Sequence, residues 1–226
     1  MNIVGRWERH LAAAACAVCL ASPAGAVTLL DTGTPDGGWF GYWGYDVFVG
    51  QSVAISFTPD QDYKLDDVSL WLMSNDFEAP GRTLTVSIQT DVAGSGTPSA
   101  PSGSVLESWD HATSAVGWAP VLETLDSILH PVLAAGTTYW LVAESSEPAF
   151  VDPVWVVAGD GNPYYIGNID FASGPAWQVG EGYAAPGAII TAMPVPEPAI
   201  WALGLLGAPM VWRTARRRRA QDAVAA

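Results

Sequence analysis

The sequence predicts an all-β fold, an antiparallel β-sandwich or jelly roll, for the central part of the chain. Between residues 27 and 192 no long run of apolar residues recurs with the helical period. Short segments instead alternate apolar and polar residues, and Gly, Pro, Asn and Asp separate them. No internal repeat is evident, so many short strands joined by turns indicate two packed antiparallel sheets.

Residues 1–26 are predicted to be a secretory signal peptide that forms a helix. Arg6 and Arg9 provide a positive start, and an apolar segment at residues 11–21 follows. Ala24 and Ala26 flank a glycine in an A-x-A cleavage site. A membrane anchor or a core helix is the alternative, but the apolar segment is too short to span a bilayer. Cleavage here removes both cysteines, which excludes disulfides and a thiol nucleophile from the mature chain.

Six segments of the central domain, residues 27–192, show the clearest strand patterns. The apolar face is predicted to be Val53, Ile55 and Phe57 in the first segment and Val68, Leu70 and Leu72 in the second. In the third, Leu84, Val86 and Ile88 alternate with Thr and Ser residues, which predicts a half-buried strand. The fourth is apolar at every position and is predicted to be buried on both faces. Residues 93–104 and 158–163 are predicted loops because they are rich in Gly, Ser and Pro. The six segments are 52–58, 68–72, 83–89, 139–143, 154–157 and 188–191.

The C-terminal segment, residues 193–220, combines a proline-bracketed acidic motif, an uncharged run and a basic block. The run at residues 199–212 would be about 21 Å long as a helix, short of the roughly 30 Å hydrocarbon core. A buried core helix is the alternative, but the arginines favour a transmembrane helix with residues 213–219 on the cytoplasmic side. The motif is Val195, Pro196, Glu197 and Pro198, and the basic block is Arg213, Arg216, Arg217, Arg218 and Arg219.

This segment resembles the PEP-CTERM sorting signal of proteins exported by Gram-negative bacteria, many of which make exopolysaccharide and biofilm. The four motif residues match one by one, and Pro209 within the uncharged run departs from the pattern. The resemblance implies processing by a membrane-embedded exosortase, after signal peptidase has removed the leader. It also implies an inner-membrane anchor before processing, and then a location at the cell surface or in the extracellular matrix.

The central domain resembles the exported β-sandwich modules called choice-of-anchor domains, most closely type R. Four stretches carry the resemblance, and it implies a surface module without implying any catalytic residue. The stretches are DTGTP, QSVAISFTPDQDYKLDDVSLWL, LTVSIQTD and LAAGTTYWLVAES.

Charge restricts the partners of the exported part. Residues 27–198 contain two basic and 21 acidic side chains, a formal net charge of −19. Such a domain repels phosphate backbones, which excludes nucleic acid as a partner. It also repels acidic polysaccharide unless divalent cations bridge the two. The simpler explanation is that the charge keeps the domain soluble.

No catalytic signature is present, so we expect neither enzymatic activity nor a cofactor. The only histidines after residue 26 are His111 and His130, and no H-E-x-x-H, G-x-S-x-G or phosphate-binding glycine motif occurs. Each histidine is expected at the surface or in a turn. A pair of glycosidase carboxylates is not excluded by the sequence, so a secreted glycoside hydrolase remains the third hypothesis.

Four aspartates around one strand start are candidate calcium ligands, because calcium binds several carboxylate oxygens. The order of an EF-hand loop is absent, so solvated turn carboxylates are the alternative. The four are Asp60, Asp62, Asp66 and Asp67.

Five aromatic residues in one glycine-rich stretch are candidate glycan-binding residues, since exposed rings can stack on sugars. Burial of the rings at the ends of the sandwich is the alternative. The five are Trp39, Phe40, Tyr42, Trp43 and Tyr45.

We therefore expect a structural or adhesion protein of the cell surface or matrix. A carbohydrate-binding module with exopolysaccharide as its partner is the second hypothesis.

Overall fold

The computed structural model describes residues 25–37, 41–95, 99–158, 177 and 184–196. The chain divides into two compact units, Met1–Pro194 and Val195–Ala226. Only Val195 and Pro196 of the second unit are described. The predicted signal helix, the predicted transmembrane helix and the arginine block therefore lie outside the described residues.

The described residues form two antiparallel sheets that pack face to face, which confirms the predicted all-β sandwich. Helices are absent from this part of the chain. The strands are β1 (Val27–Asp31), β2 (Gly44–Asp46), β3 (Val53–Phe57), β4 (Tyr63–Ser74), β5 (Thr83–Ser95), β6 (Pro101–Ala112), β7 (Val121–Asp126), β8 (Val132–Leu133), β9 (Thr137–Glu144), β10 (Pro153–Val156) and β11 (Ala188–Pro194).

Strand β4 is the centre of the larger sheet, which has seven strands. One edge of β4 pairs with β11 and then with β10, and the other edge pairs with β7 and β8. Strands β1 and β2 extend the sheet beyond β11 and β10. The smaller sheet has the order β3-β9-β5-β6, and all its pairs are antiparallel.

One apolar core lies between the sheets. The predicted inward residues of β3, β4 and β5 all belong to it, as do Leu141 of β9, Trp155 of β10 and Ile190 of β11. These side chains come from distant parts of the sequence, and each buried aliphatic side chain contributes about 1.5–3 kcal/mol. The core therefore holds the two sheets together.

A β-bulge in β4 explains two consecutive aspartates in the middle of an apolar strand. Asp67 pairs with Thr191 while Leu65 pairs with the next residue of β11, so Asp66 is the extra residue. The inward face of β4 consequently changes from Tyr63 and Leu65 to the even-numbered residues after Asp67. The carbonyl of Asp66 accepts a hydrogen bond from the Ser127 amide, which compensates for its lost ladder position.

The prediction that β5 is half-buried holds at the start of the strand, where Thr83 is exposed and Thr85 partly exposed, and is wrong further along, where the outer face is also covered. Ser87 is only 2% exposed and Gln89 only 5%. On the same face Trp140 and Val142 of β9 form a second apolar cluster with Ala54, and Trp177 packs against it. An alternating sequence reports which side chains are apolar, and it does not show what covers the polar face.

The predicted loop at residues 93–104 is shorter than expected, because β5 extends to Ser95 and β6 begins at Pro101. Asp91 organises this hairpin. Its carboxylate accepts hydrogen bonds from the amides of Ala93, Ser99 and Ala100, and from the Trp140 indole at 2.8 Å. Burial by itself would raise the pKa of Asp91, but these donors outweigh it and lower the pKa below its ordinary value.

Polar contacts close one side of the sandwich between β6 and β7, and we call them the polar seam. Glu107 of β6 accepts hydrogen bonds from the Ser127 hydroxyl and from two backbone amides after β7. Glu123 of β7 binds His111 of β6 and accepts bonds from Thr113 and Ser114. The seam thus joins the edge strands of the two sheets by carboxylates that are almost fully buried.

Candidate functional site

Four loops meet at one end of the sandwich, which we call the loop end. Backbone hydrogen bonds join them: the Val49 amide donates to the Glu147 carbonyl, and the Asn75 amide donates to the Asp152 carbonyl. The Gly81 amide completes the set by donating to the carbonyl of residue 113. The loops are β2–β3 (residues 47–52), β4–β5 (75–82), β6–β7 (113–120) and β9–β10 (145–152).

Arg82 fixes two of these loops to each other. Its guanidinium donates to the Asp76 carboxylate, with a Nε–Oδ2 distance of 2.8 Å, and reaches Glu147 at 3.3 Å. The Asp76 carboxylate also accepts hydrogen bonds from the amides of Glu78 and Ala79, which forms an Asx-turn. The Glu78 amide, ahead of Arg82, lowers the pKa of Asp76. The charges of Arg82 and Asp76 are therefore both paired within the protein.

A second group at the loop end has two carboxylates around one neutral amide. Asn75 Nδ2 lies 3.1 Å from Asp46 Oδ1 and 3.3 Å from Asp152 Oδ1. The orientation of this amide is set by Trp118, because its indole nitrogen is only a donor and lies 3.0 Å from Asn75 Oδ1. Pairing of β2 with β10 brings the two aspartates together, since it places Asp46 opposite Val154.

Asp152 is the most unusual residue of this group. It has no exposed surface, and its Oδ2 has no hydrogen-bond partner; among the described residues only Trp71 Nε1 shares that state. Burial, reinforced by the charge of Asp46 and opposed by the Asn75 hydrogen bond, raises the pKa of Asp152 above its ordinary value. Backbone amides of residues 150 and 152 oppose the rise, but no hydrogen bond reaches Oδ2.

Two exposed aromatic rings lie beside these carboxylates. Phe77 is 63% exposed and Trp118 is 59% exposed, and their rings meet edge to face with centroids 5.6 Å apart. Phe77 lies over Gly117, where a Cβ would come within 2.8 Å of the phenyl ring. Gly117 has φ 59°, so both its conformation and its lack of a side chain are needed here. The ring pair is thus fixed in place although it faces solvent.

The sequence did not point to these two aromatic residues. A usable signal exists, since each lies in a short polar segment bounded by turn residues: NDFEAPG for Phe77 and GWAP for Trp118. An aromatic residue in such a segment has no strand neighbours to bury it.

The predicted glycan-binding stretch is only partly described. Trp39 and Phe40 lie outside the described residues. Tyr42 and Trp43 are exposed, whereas Tyr45 is half-buried and donates its hydroxyl to the Ala184 carbonyl. Trp43 and Tyr45 meet edge to face with centroids 6.1 Å apart. The hydroxyl hydrogen bond and partial burial indicate that Tyr45 has a structural role.

The four predicted calcium aspartates have separate local contacts. Asp60 accepts the Tyr63 hydroxyl, and Asp62 accepts the Ala135 amide. Asp67 accepts the Thr191 hydroxyl beside the bulge at Asp66. Within the described ranges no three His, Cys, Asp or Glu side chains are grouped as metal ligands.

Both histidines contact carboxylates or backbone in the polar seam. His111 binds Glu123, and His130 Nδ1 lies 2.9 Å from the Leu65 carbonyl oxygen. An open cavity of about 370 Å³ adjoins His111, and its other polar walls include Thr85, Asp110 and Ser145. Asp110 accepts the Thr85 hydroxyl there, so the carboxylate is already engaged.

In the part of the chain that the structure describes, no helix has the length and apolar character needed to cross a membrane. The predicted cleavage site and sorting motif are described only at Gly25, Ala26, Val195 and Pro196. No protein-family model matches the sequence, and comparison with curated proteins finds no significant match.

Proposed function

We propose that this protein is an exported structural or adhesion protein of the cell surface or extracellular matrix, sorted by an exosortase. The proposal is supported chiefly by the order of features in the second compact unit: acidic proline motif, uncharged run, arginine block. The fold is consistent with this arrangement, because β11 ends at Pro194 and the motif starts at Val195. The sandwich therefore needs no residue of the motif to complete its last strand pair, which joins Pro194 to Tyr63.

The surface chemistry also supports a matrix role. Between residues 27 and 198 the basic side chains are Lys64 and Arg82, and Arg82 is paired with Asp76 and Glu147. An acidic surface of this kind favours solubility, and it would contact acidic polymers only where divalent cations bridge the two.

Cell fractionation tests the sorting proposal directly. In cells with an exosortase, we expect the wild-type chain to lose its tail and reach the surface or the medium. A Pro196→Ala/Pro198→Ala variant is expected to stay in the inner membrane with its tail intact. Gln221→Ala, beyond the arginine block, is the matched control and should be processed like the wild type.

Recovery of the wild-type chain from the cytosol with both ends intact would contradict export. Equal processing in cells that lack an exosortase would contradict the assignment of the processing enzyme.

Carbohydrate binding is the second candidate function, and the exposed Phe77–Trp118 pair favours it. An edge-to-face pair leaves ring faces open for the C–H faces of a sugar. The nearby Asp46 carboxylate is exposed and supplies acceptors for sugar hydroxyls.

Titration with neutral and acidic polysaccharides, followed by tryptophan fluorescence, tests this second function. We expect Trp118→Ala to abolish the response and Trp43→Ala to keep it. The reverse result would move the site to the predicted glycine-rich stretch. A wild-type protein whose emission does not change with any polysaccharide would rule out carbohydrate binding through exposed tryptophan.

A further inference from the structure

The loop end contains a buried carboxylate with one oxygen that has no hydrogen-bond partner. Asp152 is fully buried, and its Oδ2 lacks a hydrogen-bond partner. A buried polar oxygen without a partner costs about 1–3 kcal/mol, and more when it is charged. The fold retains this cost at a position where Asn75 already ties Asp152 to a second carboxylate, Asp46.

The basic side chains of residues 27–198 do not pair with Asp46 or Asp152. The two in residues 27–198 are Arg82, which is paired with Asp76 and Glu147, and Lys64, which is exposed in β4. Lys64 pairs with Val132 and lies ten residues before Ser74, at the opposite end of that strand from the loop end. Within the described residues, two neighbouring carboxylates thus have no positively charged partner.

A proton on Asp152 does not by itself satisfy Oδ2. If Oδ2 carries the proton, the new O–H group is a donor that needs an acceptor of its own. If Oδ1 carries it, Oδ2 stays unpartnered. A positively charged ligand would satisfy Oδ2 without a directional hydrogen-bond requirement.

We propose that Asp46 and Asp152 form a calcium-binding site at the loop end. The ligand atoms offered are carboxylate oxygens, which favour a hard cation such as calcium over zinc or copper. Calcium accepts irregular sets of six to eight oxygens, so backbone carbonyls and water can complete the shell on a loop surface. Magnesium requires near-ideal octahedral geometry and is the poorer fit.

Two carboxylates predict modest affinity. Extracellular calcium modules bind with dissociation constants of about 0.1–1 mM, and a site with only two charged ligands belongs in that range. The site is distinct from the four aspartates predicted around the start of β4, since Asp46 and Asp152 belong to β2 and the β9–β10 loop. It is also independent of the sorting proposal, because it needs none of the tail residues.

Terbium luminescence is the direct test, because Tb³⁺ occupies calcium sites and is sensitised by a nearby indole. Trp118 is close to the site through Asn75. In the purified full-length chain in mild detergent, we expect Tb³⁺ emission on tryptophan excitation and its displacement by CaCl₂. Asp152→Asn and Asp46→Asn should each weaken binding at least tenfold. Trp118→Phe should lose the emission and keep calcium binding in isothermal titration calorimetry.

Thermal melting provides a second readout. At a calcium concentration about ten times the dissociation constant, the wild-type melting temperature should rise by about 3–5 °C over the value in EGTA. Asp152→Asn should show no rise, and in EGTA its melting temperature should equal or exceed that of the wild type, because it removes a buried charge. If Asp152→Asn does not fold, the exposed Asp46→Asn carries the same test.

Asp60→Asn/Asp62→Asn is the matched control and should bind calcium normally. A wild-type melting temperature and calorimetric trace that do not change with calcium would overturn the proposal, and water would then be the partner of Oδ2. Calcium binding that survives Asp152→Asn but is lost in the control variant would overturn it in favour of the β4 aspartates.

Discussion

Buried carboxylates in this protein are stabilised by hydrogen-bond donors more than by basic side chains. Glu107, Asp91 and Glu123 are each almost fully buried, and each accepts at least three hydrogen bonds. For Glu107 and Asp91 burial raises the pKa, and the donors reverse that effect. Composition alone showed only an excess of acidic residues; which of them became buried depended on contacts between strands.

Glu123 gives the clearest residue-scale prediction. Burial would raise its pKa, but His111, Thr113 and Ser114 lower it from 4.5 to about 2. A carboxylate with a lowered folded-state pKa stabilises the protein above its unfolded-state pKa and loses that effect as the pH falls toward 2. Glu123→Gln should therefore destabilise the protein at pH 7 by about 1–3 kcal/mol. Urea unfolding at pH 7 measures this loss.

Glu123→Gln should lose less stability than the wild type between about pH 4.5 and pH 2, because the variant lacks the titrating Glu123 carboxyl. Glu78→Gln, at an exposed position, is the control and should follow the wild-type curve. Identical acid slopes for Glu123→Gln and the wild type would refute the assignment.

At the scale of strands, the local pattern was a reliable guide to inward faces but not to irregularities. Val68, Leu70 and Leu72 were predicted on one face and are buried together. The bulge at Asp66 could not be predicted, because it depends on the register with β11, more than 120 residues later. The buried outer face of β5 was missed for a similar reason, since Trp140 belongs to another strand.

Strand β2 depends on a close approach at Gly44. A Cβ on this residue would lie 2.4 Å from the Trp155 carbonyl oxygen and 2.9 Å from its carbon, which are backbone atoms of β10. Gly44→Ala should therefore separate β2 from β10 and destabilise the protein by about 1–3 kcal/mol. Hydrogen exchange of the Val47 amide, which donates to the Pro153 carbonyl, should become faster.

Gly37→Ala is the matched control for this element. Its φ is outside the left-handed region, and a Cβ would meet the Tyr42 ring at an ordinary 3.4 Å. Gly44→Ala with wild-type stability and wild-type exchange at Val47 would show that β2 adjusts without cost.

At the scale of the whole molecule, the charge of −19 on residues 27–198 is the dominant property. Like charges repel one another in the compact state more than in the expanded unfolded chain. Salt shortens the screening length from about 30 Å at 0.01 M to about 3 Å at 1 M. We expect sodium chloride to raise the melting temperature by several degrees over this range.

Calorimetry in increasing sodium chloride, with a chelator present, measures this dependence separately from calcium binding. Glu78→Lys/Glu144→Lys changes two exposed positions and reduces the net charge by four, so its melting temperature should depend less on salt. A wild-type melting temperature that stays constant or falls with salt would show that self-repulsion is negligible.

Most residues of the candidate site could not be predicted from the sequence. The calcium hypothesis rests on aspartates that are close in sequence, and in the fold Asp60, Asp62 and Asp67 have separate contacts. The glycan hypothesis was placed on a dense aromatic stretch, and the most exposed ring pair of the loop end lies elsewhere. Both hypotheses stay predictions, because proximity along the chain does not determine proximity in space.

The sequence by itself determined the all-β fold and the inward faces of the main strands, and its predictions for both ends of the chain stay predictions. These features follow from the two-residue period of a strand and from the order of charged, apolar and proline residues, and both are local. Only the tertiary structure decided which carboxylates are buried and which residues meet at the loop end. Asn75 and Asp152 are separated by 77 residues, and only the packing of two sheets with their connecting loops brings them within hydrogen-bond distance.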